Sequence, residues 1–71
     1  MRVTAETQAA TRERILETAS KLFAAGGFEA ATTRDIARGA DIAVGTVFNY
    51  FPTKEAIVEA LAARALAGVE Q

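Results

Sequence analysis

The sequence predicts an all-α fold, a bundle of three short helices followed by the start of a fourth. Two observations predict it. Apolar residues recur at helical spacing through most of the 71 residues, while Gly26-Gly27, Gly39 and the single proline stand between those runs. In addition, residues 32–51 read as a helix, a short turn and a second short helix whose apolar positions fall where two crossed helices meet.

Residues 1–10 are polar and rich in Thr and Ala, with Val3 the one apolar side chain beyond methionine and alanine, and read as a loose arm. Residues 11–25 form the first helix, with Ile15, Leu16, Ala19, Leu22 and Phe23 on one face. Gly26 and Gly27 end it with a left-handed cap, and Phe28 turns back into the core. Thr32 or Thr33 caps the next helix. Asp35, three residues after Thr32, suits a capping box and the positive end of the helix dipole. Ile36, Ala37 and Ala40 face inward, and Ala37 is small enough for a close crossing. The turn is expected over residues 39–43, with Ile42 as its apolar plug.

The third helix, residues 44–51, buries Val47 and Phe51 at a spacing of four, and Pro52 stops it. Val44, Gly45, Thr46, Phe48, Asn49 and Tyr50 are left on its other faces. An uncharged rim of aromatic, amide and hydroxyl groups is unusual for a solvated surface. It suits base edges, thymine methyls and phosphates in the major groove of duplex DNA. Thr53 then caps a fourth helix, with Ile57, Val58, Leu61, Ala65 and Leu66 as a partly apolar stripe running to the end of the chain.

Composition narrows the function classes. One domain of this size supplies only about 3–5 kcal/mol from its core. Without Cys or His there is no disulfide framework, ordinary zinc site or His-based catalysis. The carboxylates are scattered over helix faces beside no glycine-rich phosphate loop, which argues against an enzyme. No cofactor or metal is expected. No signal peptide or membrane-length apolar window is present, so a cytoplasmic protein is expected. The net charge of −1 is low for a DNA-binding protein. Yet Arg2, Arg12, Arg14, Arg34, Arg38 and Lys54 precede an acidic end containing Glu55, Glu59 and Glu70, and local potential governs phosphate attraction.

The stretches Gly27-Phe28, residues 32–37 and residues 45–56 resemble the amino-terminal domain of TetR (tetracycline-repressor-like) transcriptional regulators, over about Thr11 to Leu61. The resemblance implies a three-helix, homeodomain-like bundle (residues 11–52), with residues 53–71 as the first helix of a regulatory domain missing from this chain. It also implies a homodimer when full length, operator binding that blocks transcription, and release by a small-molecule effector bound in that domain. The expected DNA contacts are Thr33, Arg34, Val44, Gly45, Thr46, Phe48, Asn49, Tyr50 and Lys54. Lys54 is expected to grip a phosphate with the free N–H groups of its helix start. Three positions depart from the family pattern. Asp41 replaces a turn glycine, Ala43 replaces a Ser cap, and Val44 stands where a polar or basic residue often reads DNA. The alternative reading is a small helical protein-interaction module that binds no DNA and covers the fourth helix with a partner.

Overall fold

A computed structural model describes residues 5–69, with side chains from 7 to 67. Its elements are α1 (Ala5–Gly26), α2 (Thr33–Ala40), α3 (Val44–Tyr50) and α4 (Lys54–Val69). Helix α1 packs on α2 and on α4, while α2 packs on α3. The core is one cluster drawn from all four helices and from the residue that ends α3. Ile15, Leu16, Ala19, Ile36, Ala37, Val47, Phe51 and Ile57 are buried, with Leu22, Phe23, Ile42 and Leu61 packed around them. Spacings of one, three and four residues put each helix's share on a single face.

Helix α1 starts earlier than expected. Residues 5–10 were read as part of a loose arm, yet they continue the helix, with residues 7–10 exposed. The run AETQAA carries no apolar stripe, but its residues include good helix formers that extend a helix nucleated on the core side. Residues 1–4 of the expected arm lie outside the described residues. At the other end Gly27 takes φ 93°, and its N–H donates to the Phe23 carbonyl at 2.9 Å. That left-handed residue turns the chain so that the Phe28 ring stacks at a tilt on Phe23, centroids 5.3 Å apart.

The turn between α2 and α3 is shorter than expected. Gly39 is helical, and the connection is Asp41, Ile42 and Ala43. Glycine was read there as a turn residue, whereas its function is a close crossing. A Cβ at Gly39 would stand 2.6 Å from the Thr18 Cγ2 on α1. Gly39→Ala is therefore expected to destabilise the wild type despite the helix propensity it adds, about 1 kcal/mol. In a Thr18→Ala background the same change should stabilise. Urea melts of the four variants measure this coupling, and additive effects would place the crossing elsewhere.

Arg14 fixes the same junction by donating from its guanidinium to the Ala40 carbonyl, one of the unpaired acceptors ending α2. Arg64 on α4 pairs with Glu13 on α1. Arg12 lies over the Phe51 ring, 5.2 Å from its centroid. Helix α4 begins as predicted, with the Thr53 hydroxyl accepting from the Ala56 N–H at 3.1 Å. Ile57 from its stripe is buried and Leu61 half-buried, but Val58, Ala65 and Leu66 are exposed.

Candidate nucleic-acid interface

The supporting helix α2 is fixed at both ends. Thr32 is the cap. Its hydroxyl accepts from the Asp35 N–H at 3.0 Å, and the Asp35 carboxylate accepts from the Thr32 N–H at 3.3 Å. This capping box holds the Asp35 carboxyl below the usual carboxylate range, chiefly through the Thr32 N–H bond and then the Thr32 hydroxyl. The box therefore stabilises the fold above the unfolded carboxylate pKa, about 3.9. Its contribution is lost as pH falls through the lowered folded value. Thr33, relieved of capping, is the first helical residue and half-buried. Arg34 beside it is exposed and makes no ion pair among the described residues.

Asp41 closes α2 in the left-handed conformation, φ 62° and ψ 46°, the only non-glycine with positive φ among the described residues. Aspartate tolerates that geometry better than most side chains. The Ile42 N–H reaches back to the Ala37 carbonyl at 3.0 Å, so the chain reverses sharply and aims α3 across α2. Ala43 takes the extended N-cap conformation but offers no side-chain hydrogen bond. Ala43→Ser should therefore raise stability by about 1 kcal/mol in a thermal or urea melt, and no gain would show that this helix end is already satisfied.

Helix α3 divides cleanly into faces. Val47 is buried, and Thr46 and Tyr50 are half-buried on the flank. Taken around the axis, Val44, Phe48, Gly45 and Asn49 follow one another over about 140° of arc, at roughly 100° per residue. All four are exposed. A Cβ on Gly45 would meet nothing within 4 Å, so the middle of this face is bare backbone. The Phe51 cap then leaves helical geometry at φ −138° and ψ 103°, as a residue preceding proline must.

Lys54 makes contacts that the sequence did not suggest. Its Nζ donates to the Phe28 carbonyl at 2.7 Å and the Ala31 carbonyl at 2.8 Å, and sits 4.2 Å from the centroid of the Phe28 ring. Two of the three N–H groups of the ammonium are thus donated to loop carbonyls. Through these contacts it clasps the loop between α1 and α2 to the start of α4. Sequence reasoning found the oddity of a cation at a helix N-terminus, but not the loop carbonyls that compensate it. The supports from Arg14 and Arg12 were missed as well, since nothing in local spacing marks a partner 26 or more residues away.

A short second helix set across a supporting helix by a three-residue turn, with its outer face open, is the helix-turn-helix of DNA-binding proteins. Residues 15–61 match the family described as bacterial regulatory proteins, tetR family. The chain belongs to that family. It is 48% identical over 52 residues to the HTH-type transcriptional repressor KstR of Rhodococcus jostii, covering 72% of this chain and 24% of that protein. The KstR of Mycolicibacterium smegmatis is 45% identical over 49 residues, 69% of this chain and 24% of its own length. The HTH-type transcriptional regulator UidR of Escherichia coli is 37% identical over 51 residues, 72% of this chain and 26% of its own length. The chain thus spans about a quarter of the length of these relatives. No solved structure matches it. The family does not favour the reading as an interaction module, and it is one of transcription regulators, not enzymes. Among the described residues no helix is long and apolar enough to cross a membrane.

Proposed function

We propose that this chain is the operator-binding head of a transcriptional repressor, which lays α3 in the major groove of a specific duplex. The observation that carries the reading is the open, uncharged face of Val44, Gly45, Phe48 and Asn49, opposite the side on which Val47 is buried. Asn49 has the geometry to pair with adenine, and the bare backbone at Gly45 lets the helix approach the bases closely. Thr46 and Tyr50 on the flank, with Thr33 and the unpaired Arg34 at the start of α2, serve the sugar-phosphate backbone. Lys54 holds the start of α4 and the loop in place behind this surface.

In the full protein two such heads bind a palindromic operator as a homodimer in the cytoplasm. Their centres lie about 34–36 Å apart, one turn of DNA. Bound there, the pair blocks transcription sterically. A small-molecule effector held by a regulatory domain beyond this chain changes the spacing of the heads and releases DNA. The relatives' names supply the repressor role, and their greater length leaves room for that domain.

Selection of duplexes from a random pool, followed by titration of the recovered sequence at several salt concentrations, tests the reading. A defined motif should emerge, and Asn49→Ala should relax it at one position at a cost of about 1–3 kcal/mol. Arg34→Ala should weaken binding to every duplex and reduce the slope of log K against log salt by about 1. An unenriched pool would contradict operator recognition. An unchanged slope would remove Arg34 from the phosphate contacts.

A further inference from the structure

We infer that Val44 and Phe48 together form an apolar reader of pyrimidine C5-methyl groups, so that each half-site carries thymine where this pair meets the groove. The inference rests on the operator-binding reading above and adds what kind of base the head selects. Helix α3, VGTVFNY, has no charged residue. Val44 is 37% exposed and Phe48 48% exposed. One helical turn apart, they lie within about 40° of each other around the axis. Among the described residues the other exposed large apolar side chains, Val58 and Leu66, both belong to α4, so the pair forms a separate apolar patch on the groove-facing helix. In the major groove guanine, adenine and cytosine present hydrogen-bonding groups, and thymine alone adds an apolar one, its C5-methyl. Set against the polar groups, Val44 and Phe48 would strip water and return no hydrogen bond. Against a thymine methyl they bury apolar surface from both sides. Asn49, beyond the gap left by Gly45, is the polar reader beside them.

Because neither side chain can hydrogen-bond, the pair discriminates through the methyl group itself. The test replaces each thymine of the selected duplex by uracil in turn, which removes the methyl and leaves base pairing unchanged. With the unaltered chain, uracil at one or two positions per half-site should weaken binding about four-fold each, the loss of one buried methyl. At those positions 5-methylcytosine should bind more tightly than cytosine. Val44→Ala and Phe48→Ala, both at exposed sites, should bring the thymine-to-uracil ratio at their own position toward one, whereas Asn49→Ala should leave it intact. Equal affinity for thymine and uracil at every position, with specific binding retained, would overturn the inference and leave operator binding standing. Failure to select any duplex would overturn both.

Discussion

Replacing Ile36 with alanine is expected to leave much of the domain unfolded at 25 °C. Ile36 is fully buried, on the helix that packs against both α1 and α3, in a cluster with Ile15, Leu16, Val47, Phe51 and Ile57. Truncation removes three buried carbon atoms and opens a cavity that the surrounding side chains fill only in part, at a cost of about 2–5 kcal/mol. A core in a chain of this length supplies about 3–5 kcal/mol in all, so the loss is comparable with the whole. Ile36→Val removes one methyl, about 0.5–1.5 kcal/mol, and should leave a cooperative transition at a lower midpoint. Urea melts followed by helical circular dichroism separate the cases. A loss below about 1 kcal/mol in the alanine variant would mean that α2 is not the centre of the core.

The second large effect is expected at Lys54, and it falls on stability before it falls on DNA. Lys54→Met keeps the length and apolar stem of the side chain but withdraws the donors from the Phe28 and Ala31 carbonyls and the cation from the Phe28 ring. Hydrogen bonds to charged groups contribute about 1.5–3 kcal/mol each and do not add in full, and the ring contact adds about 0.5–1 kcal/mol. A loss of about 2–3 kcal/mol follows. Measured where the variant is still folded, the salt slope of DNA binding should match that of wild type, in contrast to Arg34→Ala. A slope reduced by about 1 with unchanged stability would restore Lys54 to the phosphate contacts and remove it from the clasp.

What could be read from the sequence follows from the range of the forces involved. The buried stripe of α1, the Thr32–Asp35 box, the stop at Pro52 and the open face of α3 all follow from residues within about one or two helical turns of each other. The early start of α1 was not legible because residues 5–10 carry no apolar stripe and residues 7–10 are exposed, so propensity was the one signal. Gly39 was misplaced into the turn because glycine marks both breaks and close approaches, and only the position of Thr18 on another helix tells them apart. The same limit hid the contacts of Arg14 with Ala40, Arg12 with Phe51 and Lys54 with the Phe28 loop. Each joins residues at least 23 positions apart. The face of α3 was legible as a set of side chains, and the structure adds their order around the axis.

A nuclear magnetic resonance titration of the isotope-labelled chain with the selected duplex tests the central claim most directly, because it maps the DNA-facing surface residue by residue even when binding is weak. Amide shifts are expected to concentrate at Val44, Gly45, Thr46, Phe48 and Asn49, with a second group at Thr33 and Arg34, and to fade with added salt. The exposed apolar residues Val58 and Leu66 on α4 should stay still. Shifts confined to α4 and the Phe23–Phe28 end of α1, with α3 unmoved at saturating duplex, would contradict the placement of α3 in the major groove.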